Sequence, residues 1–131
     1  MIVLDENIPK NQTALLESWR IHFRQIDVDF GRSGMTDEDI IPLLLRKSEP
    51  TLFTRDKGFY NPGLCHRRNC LVVLAVGKDE AASFVRRFLR HKEFKARSKR
   101  MGKVIQISRA QIRIRAVSQR RERSIKWLSA V

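Results

Sequence analysis

The sequence predicts an α/β domain with a central, mainly parallel sheet and a basic β-hairpin added at its C-terminal end. Short apolar runs of strand length alternate with segments of helical period, which is typical of parallel strands joined by crossover helices. From residue 111 the period becomes two, which indicates antiparallel strands. The 131 residues suit a single domain, 1–131, of which residues 86–131 form a basic C-terminal part.

The first strand and helix are expected directly at the start of the chain. Ile2–Leu4 is a buried apolar strand, and Pro9, which favours a first helical turn, begins a helix that extends to about Trp19. Alternation over Ile21–Val28 predicts the second strand, which Gly31 and Gly34 end. The inward face of the helix is predicted to carry Leu15, Leu16 and Trp19.

A second helix and a third strand follow. Thr36 is an N-cap, and Asp39, three residues later, completes a pattern similar to a capping box. Pro42 in the second turn removes a hydrogen bond and is expected to kink this helix. Thr51–Thr54 is the third strand.

The second half predicts one more helix and the remaining strands. Leu71–Val76 is the fourth strand, and Asp79 to about His91 is a helix that turns Phe84, Val85, Phe88 and Leu89 inward. Lys103–Ile107 is the fifth strand. Strict alternation from Gln111 and the returning segment Ser124–Leu128 predict a hairpin whose one face is basic.

The net charge of +13 comes from the C-terminal third of the chain. Residues 86–131 contain 16 Lys and Arg but only two acids, Glu93 and Glu122. Such a field attracts nucleic acid backbones, and it would also attract anionic membranes or an acidic protein partner, so charge alone does not choose among these partners. The longest apolar run has strand length, so no membrane partner is expected; without a secretion signal, the cytoplasm is the expected location. Cys65 and Cys70 are expected to be reduced thiols.

Acidic residues follow the predicted strands. Asp5 and Glu6 follow the first strand, Asp37 to Asp39 open the second helix, and Asp56 follows the third strand. Ligands of open parallel sheets bind beyond the carboxyl ends of the strands, so these acids are expected to converge. Carboxylate oxygens suit Mg²⁺ or Mn²⁺. The expected metal ligands are Asp5, Asp37, Asp39 and Asp56.

Each acid also has an ordinary structural use. Asp37 to Asp39 would complement a helix dipole, and one helical turn cannot direct all three acids into one site. Asp37 is the first choice for the metal, with Asp39 as its competitor. Asp56 equally suits a turn before Gly58.

Three segments resemble the signature blocks of small bacterial PIN-like domains, many of which belong to toxin–antitoxin systems. The blocks are Val3–Pro9, Thr36–Ile40 and Leu52–Phe59, and an apolar strand at Leu71–Leu74 follows them. The resemblance covers about residues 1–77. It implies a three-layer α/β/α sandwich and a metal-dependent ribonuclease with Asp5, Asp37 and Asp56 as catalytic acids. Glu6, Asn7, Thr54 and Arg55 would be supporting residues.

Two functions remain open at this point. In one, a toxin-like endoribonuclease cleaves RNA with a metal-activated water. In the other, a PIN-like module with a weak active site binds RNA, a ribosome or an acidic antitoxin protein. Both use the same basic residues, and the oligomeric state stays open, with a homodimer as one choice. The expected nucleic-acid contacts are Arg86, Arg87, Arg90, Lys95, Arg97, Lys99, Arg100, Arg113 and Arg115.

Overall fold

The computed structural model describes residues 1–127, apart from the side chain of Asp37, and these residues form one mixed sheet of seven strands with helices. The strands are β1 (Ile2–Leu4), β2 (Arg24–Gln25), β3 (Thr51–Thr54), β4 (Cys70–Leu74), β5 (Lys103–Ile107), β6 (Gln111–Ala116) and β7 (Arg123–Lys126). The helices are α1 (Lys10–Ser18), α2 (Asp37–Leu45), α3 (Ala81–Arg90) and α4 (Arg97–Arg100). The predicted α/β class is confirmed.

The strand order across the sheet is β2-β1-β3-β4-β5-β6-β7. The first five strands in this order are parallel, whereas β6 runs antiparallel to β5 and β7 antiparallel to β6. All five parallel strands therefore end at the same edge of the sheet, which we call the carboxyl edge. The opposite edge is the amino edge. Because β1 and β3 are neighbours, the residues that follow them lie side by side at the carboxyl edge.

Apolar side chains cover both faces of the sheet. On one face, Leu4 and Phe53 belong to the core that includes Leu16 of α1 and the buried residues of α3. On the other face, Val3 and Leu52 belong to the core that includes Ile40 and Leu44 of α2. Alternate residues of one strand thus face different cores, as the pleat of a strand requires.

The amphipathic pattern of α3 is confirmed. Phe84, Val85 and Phe88 are buried, and Leu89 is partly buried against the same core. The ring of Phe88 stacks on that of Phe94 at a centroid distance of 4.8 Å and meets Phe53 edge-on at 5.7 Å. Aromatic contacts of this kind add to the stability that burial alone provides. Arg87 and Arg90 lie on the exposed side.

The predicted inward face of α1 is partly wrong. Leu16 is fully buried, but Leu15 is 39% exposed, and the polar Gln12 is buried instead. The side-chain oxygen Oε1 of Gln12 accepts a hydrogen bond of 2.9 Å from the backbone N–H of Ala82, the second residue of α3. A buried amide is therefore satisfied by a free N–H at a helix start. Hydrophobic period cannot reveal such a contact.

The second strand is much shorter than predicted. Only Arg24–Gln25 pairs with β1, whereas the alternating pattern predicted Ile21–Val28. The carboxylate of Asp29 accepts the backbone N–H of Gln25 at 2.8 Å, and Asp27 has a φ of 80°. A local turn that uses these aspartates competes with further strand pairing.

The cap of α2 has one of the two bonds that a capping box contains. Thr36 Oγ1 accepts the backbone N–H of Asp39 at 3.3 Å, as predicted. The Asp39 carboxylate forms an ion pair with Arg32 at 3.4 Å. Pro42 lies within the helix.

Smaller differences concern the ends of elements. β4 ends at Leu74 and not at Val76, and β7 begins at Arg123 and ends at Lys126. The predicted end of that strand, Leu128, lies outside the described residues. Both cysteines are free thiols. Within residues 1–127, no helix combines the length and apolar character needed to span a membrane.

Candidate acidic site and basic surface

Asp5 lies at the carboxyl edge, directly after β1, and is only 5% exposed. Its backbone N–H donates to the carbonyl oxygen of Phe53 in β3 at 2.9 Å, so the pairing of β1 with β3 extends to this residue. The carboxylate oxygen Oδ1 accepts the backbone N–H of Glu6 at 2.8 Å. The strand end therefore holds the carboxyl group in one orientation.

Thr54, the last residue of β3, connects the two predicted acids Asp5 and Asp56. Its hydroxyl donates to Asp5 Oδ2 at 2.7 Å and accepts the backbone N–H of Asp56 at 3.0 Å. Asn7 donates through Nδ2 to Thr54 Oγ1 at 3.3 Å and accepts the backbone N–H of Arg55 at 3.1 Å. These bonds bring Asp5, Asn7, Thr54 and Asp56 together from two adjacent strand ends.

The Asp56 side chain is exposed and has a local role as well. Its Oδ1 accepts the backbone N–H of Gly58 at 2.9 Å and so caps a short 3₁₀ turn, Lys57–Phe59. The sequence left two roles open for Asp56, that of a turn residue and that of an acid at a strand end. Its conformation is compatible with both roles. Phe59 at the end of the turn is buried and holds the loop against the sheet.

The pKa of Asp5 is raised above its usual value, chiefly because burial disfavours the charged form. The hydrogen bonds from Thr54 and from the N–H of Glu6 act in the opposite direction, while the charges of Glu6 and Asp56 raise the pKa further. The balance of these effects leaves an ionised Asp5 under-stabilised. A nearby cation would offset this cost.

The other predicted acids have partners of their own. Glu6 accepts the backbone N–H of Gly34 at 2.8 Å and the hydroxyl of Ser33 at 3.2 Å, and Asp39 is paired with Arg32. The Asp37 side chain lies outside the described residues. In the part of the chain that the structure describes, no group of three or more His, Cys, Asp or Glu is arranged to hold a metal.

Arg55 lies between Thr54 and Asp56 in the chain and is half-buried. Among the described residues, its Nε–H is shielded from solvent and has no hydrogen-bond acceptor. A buried donor without an acceptor is uncommon in a folded protein. Arg55 is therefore a donor beside the acidic pair.

The predicted basic residues fall into separate groups. Arg97 lies 3.8 Å from Glu49, which precedes β3, so this part of the surface is at the amino edge. The four residues of β3 span roughly 13 Å at 3.3 Å per residue, which separates this group from the acidic site. The exposed residues of this group are Lys95, Arg97 and Lys99.

Arg100 does not belong to the basic surface, which corrects the expectation for this residue. It is 5% exposed, its Nε donates to Thr51 Oγ1 at 2.9 Å, and its Nη1 donates to the carbonyl oxygens of Phe94 and Lys95. Three internal acceptors compensate for the desolvation of the guanidinium. A phosphate group has no access to it.

Arginines of α3 stack on aromatic rings. The guanidinium of Arg86 lies 3.7 Å from the ring centre of Trp19, and that of Arg87 lies 4.4 Å from the ring centre of Trp127. Stacking of this kind leaves the edge of the guanidinium free to donate hydrogen bonds. Arg90 is exposed on the same helix.

Arg113 and Arg115 are close to an acid that the sequence interpretation did not single out. Arg113 donates to both carboxylate oxygens of Glu122, at 3.1 and 3.0 Å, and Arg115 Nε lies 3.7 Å from Glu122 Oε2. Tyr60 donates its hydroxyl to the same Oε2 at 2.6 Å. The available signal was that Glu122 is the single acid within the hairpin.

Comparison with known proteins does not assign the chain to a family. No protein-family model matches the sequence, and no curated protein and no solved structure is similar enough to count as a match. The functional argument therefore depends on the side chains at the carboxyl edge and on the charges around them.

Proposed function

We propose that this chain is a metal-dependent endoribonuclease of PIN-like type, with a three-layer α/β/α sandwich and a basic hairpin beside its active site. The main support is the hydrogen-bonded group of Asp5, Thr54 and Asp56 at the carboxyl ends of two adjacent parallel strands. This edge is where open parallel sheets bind ligands. The resemblance to PIN-like domains implies catalytic acids at the same positions.

The residues present suit a hard divalent cation. Asp5 and Asp56 offer carboxylate oxygens, and Asp5 is a buried acid whose raised pKa a cation would lower. Mg²⁺ is commonly held by one or two protein carboxylates together with phosphate oxygens of the substrate. Asp5 and Asp56 would hold Mg²⁺ or Mn²⁺ in this way, with Asp37 as the third ligand that the resemblance implies.

A bound ion of this kind supplies Lewis-acid chemistry, which activates a water and stabilises the leaving oxygen of the phosphodiester. The chain's own residues orient the acids. The Thr54 hydroxyl fixes Asp5 Oδ2, and Asn7 connects the end of β1 with the backbone of Arg55. Thr54 and Asn7 are positioning residues. The guanidinium charge of Arg55, the residue before Asp56, would stabilise negative charge that develops on a phosphate oxygen.

The substrate, the cellular role and the partner proposed for this activity follow from the charge of the chain and from its resemblance to PIN-like domains. RNA is the substrate class because its phosphates match the excess of basic residues in the C-terminal third. A toxin-like role in the cytoplasm, with an acidic antitoxin protein as partner, is part of the same proposal.

The test compares three variants with equal changes of charge: Asp5→Asn, Asp56→Asn and the control Asp27→Asn. Asp27 is exposed and has a φ of 80°, which asparagine adopts readily. With Mn²⁺ and a fluorescent single-stranded RNA, the first two variants should lose cleavage by on the order of 100-fold or more. All three should keep wild-type RNA affinity. Wild-type cleavage by Asp5→Asn or Asp56→Asn would refute the assignment.

The second candidate function is an RNA-binding module with a weak active site. It is favoured by the finding that, within the described residues, Thr54 connects the Asp5 carboxylate only with the backbone N–H of Asp56, and no group of three or more possible ligands is arranged to hold a metal. The same experiment separates the two functions. A wild-type protein that binds RNA but never cleaves it with Mn²⁺ is a binding module.

A further inference from the structure

The carboxylate of Glu122 is surrounded by three donor side chains, two from β6 and one from the loop after β3. It accepts two hydrogen bonds from Arg113 and one from Tyr60, and Arg115 lies within ion-pair distance. Arg113 also donates through Nη1 to the side chain of Gln106 at 3.1 Å, which fixes the orientation of its guanidinium. We call Tyr60, Arg113 and Arg115 the anion fork. The fork surrounds one oxyanion.

We propose that the anion fork is a binding site for a backbone phosphate of RNA, and that Glu122 occupies this site when RNA is absent. The choice of RNA rests on the function proposed above. Guanidinium groups bind carboxylates and phosphates with the same paired hydrogen bonds, so one oxyanion can replace the other. Glu122 therefore competes directly with the substrate.

The position of the fork supports its link to the acidic site. Strand register aligns Thr54 with Val73, Val73 with Gln106, and Gln106 with Arg113. Residues paired in register point to the same face of a sheet, so the side chains of Thr54 and Arg113 lie on the same face. Three strand spacings separate them by about 14 Å. An RNA strand of a few nucleotides spans this distance.

The chain also connects the two sites directly. Asp56 caps the 3₁₀ turn Lys57–Phe59, and Tyr60 follows that turn. Tyr60 lies four residues after Asp56, so their Cα atoms are at most about 14 Å apart. A phosphate held by the Tyr60 hydroxyl is therefore held by the same loop that presents Asp56.

Glu122 is placed where it can leave the fork. It lies on the connection between β6 and β7 and its side chain is 26% exposed, while that of Arg113 is 42% exposed. Both side chains keep contact with water, so a released Glu122 becomes hydrated while phosphate oxygens accept the hydrogen bonds that it gives up.

A purely structural role for the same contacts makes a different prediction. If Glu122 only holds the hairpin against the loop at Tyr60, removing its charge would lower the unfolding free energy. RNA affinity would then change only as much as the change in net charge requires. Glu93 offers a matched control, since it pairs with Arg123 and its loss changes the net charge equally. Arg123 follows Glu122 in the sequence but belongs to β7 and is not part of the fork.

The experiment measures the affinity of Glu122→Gln, Glu93→Gln and wild type for a fluorescent single-stranded oligouridylate, in EDTA to prevent cleavage. We expect Glu122→Gln to bind about three- to tenfold more tightly than Glu93→Gln. Adding Arg113→Gln to Glu122→Gln should abolish the gain. Equal affinities of Glu122→Gln and Glu93→Gln would overturn the proposal.

A second measurement uses the wild-type protein and does not depend on the folding of any variant. The Nε–H signals of Arg113 and of Arg109 are followed by NMR as the same oligonucleotide is added. Arg109 pairs with Glu80, an exposed acid outside the fork, and serves as the reference. The Arg113 signal should shift more than that of Arg109 as the site fills. An unmoved Arg113 signal at saturating RNA contradicts the proposal.

Failure of this inference differs from failure of the proposed function. Manganese-dependent cleavage with no gain in Glu122→Gln leaves the nuclease assignment standing and refutes the fork. A gain in Glu122→Gln without any cleavage supports the fork and favours the RNA-binding module.

Discussion

Asp5 shows how one residue links folding to function in this protein. It follows an apolar strand of three residues, and its backbone continues the pairing with β3, so its carboxyl group is buried with the strand end. Burial raises its pKa, and the nearby charges of Glu6 and Asp56 act in the same direction. A divalent cation would offset this free-energy cost, which is the physical basis of the proposed site.

The raised pKa predicts how stability depends on pH. The folded state binds the Asp5 proton more tightly than the unfolded state, whose value is near 3.8. As the pH rises from 3.8 through the folded-state pKa, the wild type should lose unfolding free energy relative to Asp5→Asn. Urea denaturation of both proteins in EDTA, from pH 4 to 7, measures this difference. A constant difference over this range would contradict the assigned pKa.

Glu80 provides a control of opposite sign. Its pKa is lowered, first by the hydrogen bond from Arg109 and then by that from the backbone N–H of Gly77. Wild type should therefore gain stability relative to Glu80→Gln as the pH rises towards the unfolded-state pKa of glutamate. Solvent screening of this exposed pair makes the effect small.

At the scale of elements, α2 is the helix whose sequence conflicts most with its conformation. Thr36 caps it as expected, but Pro42 lies in its interior, where the missing N–H cannot bond to the carbonyl oxygen four residues earlier. The buried residues Ile40 and Leu44 hold the helix on the sheet. Tertiary packing thus maintains a helix that local propensity opposes.

Replacing Pro42 tests this balance. Pro42→Ala should raise the unfolding free energy by about 1–2 kcal/mol, because the restored hydrogen bond outweighs the greater entropy of the unfolded chain. Pro62 is the control, since it opens the 3₁₀ turn Pro62–Leu64, where proline is favoured, and Pro62→Ala should bring no gain. Urea denaturation gives both values. An unchanged or lower stability of Pro42→Ala shows that Pro42 fits its position.

At the scale of the whole molecule, the basic residues lie on different parts of the surface. Lys95, Arg97 and Lys99 belong to the amino edge, whereas the anion fork shares a sheet face with Thr54. The net charge of +13 therefore attracts RNA from several directions. The fork lies on the same sheet face as Thr54, and Arg55 directly precedes Asp56 in the chain.

This division predicts that affinity and catalysis can be separated. Lys95→Gln combined with Lys99→Gln should weaken binding of a long RNA and reduce its salt slope by up to about 1.4, for two phosphate contacts. The cleavage rate at saturating RNA should stay unchanged, because this group lies at the amino edge, whereas the acids follow the opposite ends of β1 and β3. Titrations at several salt concentrations and single-turnover cleavage measure both effects. A flat salt response of the wild type would argue against binding led by phosphates.

Much of the fold follows from local patterns in the sequence. The bounds of β1, β3 and β5 agree with the apolar runs, and the inward face of α3 agrees with its helical period. These elements were predictable because each buries apolar side chains that recur at the period of its own secondary structure. β2 was not, since the Asp29 side chain binds its backbone and Asp27 turns the chain with a positive φ, and the hydrophobic period records neither effect.

By itself, the sequence determined the α/β class, the strand ends that carry Asp5 and Asp56, and the excess of positive charge after residue 85. Only the tertiary structure decided which charged groups remain accessible. Arg100 is buried and donates a hydrogen bond to Thr51, which lies 49 residues away in the sequence. Glu122 accepts a hydrogen bond from Tyr60, which lies 62 residues away. The reason is that a charged side chain is stabilised by whatever partner the folded chain brings near it, and long-range partners leave no pattern in the sequence around it.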